Sequence, residues 1–164
     1  MQATSAPAQA VPQALVEDLG TFLLYLMKAS SSNFFRAMAE HELSLTQIKV
    51  LYHLEDQDET ESSIKALADQ FAMSLAAMSR TVDALHQRGF VERREDTDDR
   101  RMKRVRISPA GDELVSRLTE MRLSQLNDFL STLTDAQRKR LGTAIGPIVE
   151  RPDVAACRPK GRTR

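Results

Sequence analysis

The chain has very little of what several protein classes require. Its 164 residues include one cysteine, Cys157, and no tryptophan, and aromatic residues make up only 5%. A single cysteine excludes a disulfide framework and a cysteine-rich metal site. No hydrophobic run approaches the length that spans a bilayer, and no charged segment followed by an apolar one marks a signal peptide. We therefore expect a soluble cytoplasmic protein of one domain, or one domain with an added helical layer.

Residues that could carry catalysis are also scarce. His41, His53 and His86 are far apart in the sequence, and no glycine-rich phosphate loop or nucleophile motif is present. His41 and Glu42 can supply two metal ligands, but no His-x3-His pair completes the set. Cys157 lies in an arginine-flanked tail without the neighbours that activate a thiol. We predict a chain that is not an enzyme and needs no cofactor or metal, with a redox response as an alternative.

The net charge is zero, but the charged residues are distributed unevenly. Residues 1–70 hold 4 basic and 10 acidic side chains, whereas residues 71–107 hold 9 and 6, and residues 151–164 hold 5 and 1. The local field, more than the total charge, steers a protein toward phosphate. The positive charge is concentrated in the segment from Phe71 to Ile107 and in the C-terminal tail.

The segment 62–107 predicts two short helices followed by a charged hairpin. The first helix runs from Ile64 to Phe71, and after a brief break Ser74 can cap a second helix that continues to Arg88. Gly89 then suits the left-handed position that ends a helix. Two helices joined by so tight a turn make a helix-turn-helix.

The second of these helices has two different faces. Met78, Val82 and Leu85 recur at helical spacing and should be buried. The opposite face carries small side chains and one long cation, which suits close approach to base edges in a major groove. Its members are Ala76, Ala77, Arg80, Ala84 and Gln87.

The hairpin after this helix predicts a second DNA contact. Residues 90–94 and 103–107 are strand-like, and the polar turn between them contains two adjacent arginines. Arg101 suits a narrow minor groove, where the negative potential is enhanced, and Asp99 can brace its guanidinium through a bidentate pair.

These motifs together resemble the MarR family of winged-helix regulators over roughly residues 43 to 112. The hairpin carries Asp96, Asp99, Arg100 and Arg101, and Val105, Ile107, Ser108 and Gly111 follow at the family's spacing. The preceding helix and strand carry Met78, Ser79, Arg80, Val82, Leu85, Gly89, Phe90, Val91 and Arg93. Two departures are Met78, where valine is usual, and Ser108-Pro109, where the family usually has Leu/Ile-Thr followed by a variable residue.

The resemblance and the residue pattern give the same architecture: mainly α, with a small β-hairpin wing. Ser44, Ser108 and Thr134 predict further helix starts, and the acidic segment 55–61 reads as a loop without a strand. Ser30–Asn33 is a weak point in the first helix. The expected segments are a disordered tail (1–12), an N-terminal dimerisation helix (13–42), a winged helix-turn-helix lobe (43–107), C-terminal dimerisation helices (108–150) and a basic disordered tail (151–164).

The functional prediction is a homodimeric DNA-binding regulator, a repressor, acting on a pseudo-palindromic operator in double-stranded DNA. The apolar terminal helices call for a second copy, and two-fold dimers are the commonest assemblies. Predicted contacts are Ala76, Ala77 and Arg80 to bases, Ser74 or Ser79 to base or phosphate, Arg101 to the minor groove, and Arg100 and Lys103 to the backbone. A winged helix used for protein contact is the alternative; steep salt dependence would favour DNA.

The resemblance also implies a small organic effector, bound where the dimer helices meet the DNA-binding lobe. Candidate lining residues are Phe22, Tyr25, Met27, Phe35, Met38 and Tyr52, with Lys28 or Arg36 for an anionic group. Met and Phe at helical spacing are also ordinary core residues, so the pattern leaves both interpretations open.

Overall fold

The computed structural model describes residues 11–29, 31–57, 61–95 and 103–158. Its elements in order are α1 (Gln13–Ala29), α2 (Ser31–Glu40), α3 (Leu45–Asp56), β1 (Ser62–Ser63), α4 (Ile64–Gln70), α5 (Leu75–Gln87), β2 (Val91–Glu95), β3 (Lys103–Ile107), α6 (Pro109–Thr132), α7 (Asp135–Val149) and α8 (Pro152–Ala155). The predicted fold class, mainly α with a small wing, is confirmed.

The helices begin where hydroxyl side chains can cap them. The Ser44, Ser74, Ser108 and Thr134 side chains each accept a backbone N–H bond from the first turn of their helix. All four caps were predicted from the sequence, since the signal is a single residue before an apolar pattern. Ser63 caps α4 in the same way.

The sheet has three antiparallel strands in the order β1-β3-β2. Val91 faces Ile107 and Glu95 faces Lys103 across the predicted hairpin. The expected loop before α4 ends in a strand that sequence reasoning missed, because Ser62 and Ser63 pair with β3. Two residues are too few to show an alternating pattern, so this strand exists only through its partner.

The core lies entirely in the middle of the chain. Every buried apolar side chain among the described residues falls between Phe34 and Leu118, with α3, α5 and the start of α6 contributing most of them. In contrast, α7 has no buried residue, and every side chain of α1 that the structure describes is exposed or half-buried. The structure therefore has a well-packed lobe and two terminal helices that its own chain leaves largely uncovered.

Gly111 allows α6 to approach the backbone at Phe90, directly before β2, the first strand of the wing. A Cβ on this residue would overlap the Phe90 carbonyl oxygen and lie 2.9 Å from Ile107 Cγ1. The same carbonyl accepts a bond from the Ser108 N–H at 3.1 Å. The glycine of the predicted motif is therefore required for close backbone approach.

The two ends of the described chain are also helical. The N-terminal segment contains α1 and α2, and Ser30 between them lies outside the described residues. Pro147 lies inside α7, which continues to Val149. The C-terminal tail, expected to be disordered, forms the short helix α8, whose N-terminus carries an Arg151–Asp153 ion pair. No helix among the described residues is both long and apolar enough to cross a bilayer.

Candidate nucleic-acid interface

The turn between α4 and α5 is fixed by backbone hydrogen bonds. Met73 N–H donates to the Ala68 carbonyl at 2.9 Å, and Ala72 N–H donates to the Asp69 carbonyl at 3.2 Å. This pattern is a Schellman motif, and Ala72 occupies its left-handed position with φ 50°. The predicted helix-turn-helix is therefore present, with its second helix starting directly after the turn.

The helix α5 has the two faces predicted for it. Met78, Val82 and Leu85 are fully buried, whereas Ala76 and Arg80 are exposed. The outer face is therefore small and polar, with one arginine able to reach outward.

Three further members of the predicted contact set lie on or beside this face. Ala77 and Ser79 are half-buried, and Ser79 Oγ lies 3.5 Å from Asp83 Oδ2. Ser74 Oγ accepts a bond from Ala77 N–H at 3.2 Å. A hydroxyl that accepts one hydrogen bond still has a proton to donate. Ser74 can therefore cap the helix and donate to a phosphate oxygen at the same time.

An ion pair attaches α5 to the first strand of the wing. Arg93 on β2 donates to the Asp83 carboxylate, and the arginine side chain is only 14% exposed. His86 Nδ1 lies 3.0 Å from the Val91 carbonyl oxygen, a second link between the same two elements. These contacts set the position of the wing relative to the outer face of α5.

The base of the wing is a ladder of charged pairs. Arg106 lies 2.6 Å from Glu92 across the strands, and Arg94 lies 2.5 Å from Glu61, which precedes β1. Lys103 is exposed at the start of β3. The predicted tip residues Asp99, Arg100 and Arg101 lie outside the described residues.

A cleft of about 270 Å³ opens beside the first turn of α5. It is lined by Ser63, Ile64, Lys65, Leu75, Ser79, Arg93 and Lys103. Residues from β1, α4, α5 and both strands of the wing thus meet at one concave site. Three of the seven side chains are cationic, so the cleft suits an anionic or phosphate-bearing ligand.

The family model for MarR matches residues 43–103, which run from just before α3 to the first residue of β3. Over this segment the chain is similar to the MarR family, in agreement with the resemblance read from the sequence.

Individual relatives extend this likeness beyond the lobe. The chain is 24% identical over 142 residues to the HTH-type transcriptional repressor YetL of Bacillus subtilis, covering 84% of this chain and 85% of that one. It is similar to the transcriptional regulator Tm0710 of Thermotoga maritima with TM-score 0.70 and 16% identity, over 85% and 96% of the two chains. It is also similar to MepR of S. aureus in a MepR–DNA complex, with TM-score 0.61 and 16% identity, over 81% and 96%.

Three of the candidate effector residues are divided between two aromatic clusters. Phe22 and Tyr25 pack on Phe129 of α6, with ring centroids 5.2 and 5.6 Å apart. Tyr52 belongs to a second cluster, where Arg122 lies 5.2 Å from its ring and 4.6 Å from that of Phe34.

The remaining effector candidates are in different surroundings. Met38 packs against the core and Met27 is exposed. The side chain of Phe35 lies outside what the structure describes. Arg36 lies 3.8 Å from Glu40. The five candidates whose side chains are described therefore lie in different surroundings within one chain.

Sequence reasoning missed two residues of the cleft that matter for its chemistry. Leu75 and Lys65 were not among the predicted contacts. Leu75 lies about 20° from Val82 around the helix axis, so its spacing alone assigns it to the buried face. Leu75 is nevertheless exposed, because the first turn of α5 extends beyond the edge of the core. The sequence signal for Lys65 as a contact was weak, since it consists of a cation in the first turn of α4.

The other candidate chemistries gain no support from the geometry. Among the described residues, no three His, Cys, Asp or Glu side chains are grouped as metal ligands are. His41 and His53 each meet an aromatic ring edge-on, Phe90 and Phe71 respectively. Cys157 is exposed, with Sγ 3.7 Å from the Asp153 carbonyl oxygen. These contacts are ordinary packing and surface contacts.

Proposed function

We propose that this protein is a MarR-family regulator that acts in the cytoplasm as a homodimeric repressor. It binds a pseudo-palindromic site in double-stranded DNA and releases it when a small organic ligand binds. The observation that carries the proposal is the outer face of α5, where small side chains and Arg80 lie exposed beside a basic wing. A helix with this kind of face fits a major groove.

The contacts proposed are those that the sequence predicted. Ala76, Ala77 and Arg80 face base edges, and Ser74 or Ser79 bonds a base or phosphate. Arg100 and Lys103 contact the backbone, while Arg101, braced by Asp99, enters the minor groove. The exposed positions of Arg80 and Lys103 and the Arg93–Asp83 link between helix and wing support this arrangement. The solved MepR–DNA complex supports it as a related protein of the same fold.

The homodimer is supported by the apolar surface of the terminal helices. Leu15, Val16, Leu19, Leu23 and Leu24 of α1 are each more than half exposed, and so is Ile148 of α7. Contiguous exposed apolar surface of this kind marks an interaction site. A second copy of the chain covers this surface. The two α5 helices, which are the recognition helices of the proposed dimer, then meet half-sites about 34–36 Å apart.

The effector is proposed to act on the spacing between these two helices. A ligand shifts an equilibrium only through different affinities for its two states. The cluster at Phe129 joins α1 to α6, and the cluster at Arg122 joins α2 and α3 to α6. A ligand inserted at either cluster would therefore move the lobe relative to the dimer helices. Candidate ligands are small aromatic acids, with Lys28 or Arg36 toward the carboxylate.

The decisive experiment is binding to DNA at several salt concentrations. A duplex selected by the protein from a random-sequence pool should be bound with an affinity that falls steeply with salt, since each neutralised phosphate contributes a slope of about −0.9. Affinity independent of salt would instead support the protein-contact alternative. Addition of small aromatic acids to the same assay tests release.

Two substitutions separate base contacts from backbone contacts. Arg80→Ala should cost about 1–3 kcal/mol on the selected duplex and relax the preference at one base pair. Arg101→Ala should weaken binding to all sequences and reduce the salt slope by about one unit. An equal loss on every sequence for Arg80→Ala would reassign that side chain to phosphate.

A further inference from the structure

The first residue of the recognition helix breaks the pattern of the rest. Leu75 is 57% exposed, whereas the other large apolar side chains of α5, Met78, Val82 and Leu85, are fully buried. An apolar side chain of this size loses about 1.5–3 kcal/mol of burial energy by staying in water. Its position at the start of α5 therefore makes sense if it is buried against something other than this chain.

The surroundings of Leu75 indicate what that surface is. The side chain lies in the cleft beside the first turn of α5, and Lys65, Arg93 and Lys103 line the same cleft. Lys65 and Lys103 form no ion pair with any residue that the structure describes. An apolar side chain that shares a cleft with two such lysines does not suit an apolar protein partner, since docking there would bury both charges. It suits a ligand whose apolar feature is flanked by negative charge.

Duplex DNA has that combination in its major groove. The C5-methyl group of thymine is the main apolar feature among the base edges there, and phosphates lie on both sides of the groove. The N-terminal residues of a recognition helix are those that reach base edges. Ser74, immediately before Leu75, keeps a hydroxyl proton that can bond a phosphate and fix the depth of the helix.

We propose that Leu75 is a specificity-determining residue that reads a thymine methyl in each half-site, with Lys65 and Lys103 holding the flanking phosphates. The assignment rests on the proposed DNA-binding function and adds to it one apolar base contact that the predicted set, Ala76, Ala77 and Arg80, does not contain. The operator should therefore have a thymine at one fixed position of each half-site that guanine, cytosine or adenine cannot replace.

The test removes single methyl groups from the DNA. A duplex is selected from a random pool by the wild-type protein, and each thymine is replaced in turn by uracil, symmetrically in both half-sites. Loss of one buried methyl costs about fourfold in affinity, so wild type should lose about 16-fold at one position. Leu75→Ala should bind the parent duplex about tenfold more weakly or worse and show no uracil penalty at that position. Leu75→Met, which keeps the apolar reach, should restore the penalty.

A matched control is available on another helix. Leu45 is the first residue of α3 and 53% exposed, and it does not line the cleft. Leu45→Ala should keep the wild-type affinity and the wild-type uracil penalties. The inference is overturned if Leu75→Ala retains every wild-type penalty, or if wild type shows no penalty at any thymine. Failure of wild type to select any duplex would instead overturn the proposed function, so the two failures are distinguishable.

Discussion

The winged-helix lobe and the terminal helices are built on opposite principles. Within the described residues, every buried apolar side chain lies between Phe34 and Leu118, and the lobe from α3 to the start of α6 holds most of them. The helices α1 and α7 have good local signals, such as the Thr134 cap with its Gln137 partner, but none of their described side chains is buried. Helix stability in proteins comes mostly from packing of an apolar face. The lobe supplies that packing itself, whereas the terminal helices require it from elsewhere.

The difference separates what each region contributes to function. The lobe fixes the outer face of α5 relative to the wing through the chain's own contacts. We propose that the terminal helices set how far apart two such faces lie, because a second copy would pack on their uncovered surface. Substitutions in the lobe should therefore change the unfolding of one chain, and substitutions in the terminal helices should change assembly first.

The largest effect is expected from charges on α1. Leu19 and Leu23 are 59% and 58% exposed and lie one turn apart on the same face. Because burying a charge in an apolar interface costs several kcal/mol, Leu19→Glu combined with Leu23→Glu should raise the dimer dissociation constant about 1000-fold, or about 4 kcal/mol. Sedimentation equilibrium measures this directly.

The lobe of this double variant should keep its helical circular dichroism, since neither leucine is buried in its own chain. Lys28→Glu, also on α1, is a charge-changing control for which we expect a much smaller effect. A double variant that remains dimeric would show that α1 does not form the interface. The contrast between the two regions would then need another explanation.

The next effect tests close packing inside the lobe. Gly111→Ala places a Cβ against the Phe90 carbonyl and Ile107, which should destabilise the lobe by about 3 kcal/mol, as overpacking does. Gly142 in α7 has nothing of its own chain within 4 Å. In the dissociated double variant, Gly142→Ala should instead stabilise by about 0.5–1 kcal/mol through helix propensity. The midpoint of urea unfolding measures both changes in stability. A change of the same sign and size for Gly111→Ala and Gly142→Ala would contradict the division into two regions.

The same division explains what could be predicted from the sequence. The helix starts at Ser44, Ser74, Ser108 and Thr134 were predicted because a cap is a local signal. The strand at Ser62–Ser63 was not, because it is defined only by pairing with β3, some 40 residues later. The exposure of Leu75 was missed for a similar reason, since its helical phase matches the buried residues and only the edge of the core decides its environment.

Contacts between helices far apart in the sequence were the least predictable. Phe22 and Tyr25 meet Phe129, and Arg122 lies against the rings of Phe34 and Tyr52. Each of these contacts joins residues about 70 or more positions apart, and periodicity gives the buried face of a helix but not its partner. The sequence therefore shows apolar residues at suitable spacing, but it does not give the contacts that would define a ligand site.

A smaller effect is expected from the ion pair that joins α5 to the wing. Asp83→Ala leaves the Arg93 guanidinium, 14% exposed, without its carboxylate. Asp83 itself is 43% exposed, so solvent screens the pair, and we expect a loss of about 1 kcal/mol. The urea midpoint measures this loss. Affinity for the selected duplex should fall as well, since the wing loses a link to α5.

The C-terminal region offers a matched pair for comparison. Arg151 bonds Asp153 and lowers the pKa of that carboxyl group, but both side chains are well exposed. Asp153→Ala should therefore leave the urea midpoint unchanged. A shift as large as that of Asp83→Ala would show that the C-terminal segment is packed more tightly than its exposure indicates.

The smallest effect concerns backbone strain, which among the described residues is confined to the lobe and its border. Glu42, Ala72 and Gly89 have positive φ, and each occupies the left-handed position of a Schellman motif, closed by Leu43, Met73 and Phe90. A residue with a Cβ at such a position lowers the free energy of unfolding by about 1 kcal/mol. Glycine removes this strain, but it also gives the unfolded chain greater conformational freedom, which offsets part of the gain. Ala72→Gly should therefore stabilise the lobe by no more than about 0.5 kcal/mol.

The reciprocal substitution gives this prediction its sign. Gly89→Ala meets nothing within 4 Å, so any loss must come from the backbone at φ 75°, and we expect about 1 kcal/mol. If Gly89→Ala destabilises and Ala72→Gly stabilises, the packed lobe holds a strained turn between α4 and α5 because the surrounding core determines it. If both substitutions destabilise, the Ala72 methyl makes a contact worth more than the strain, and the turn is held by side-chain packing as well as by its two hydrogen bonds.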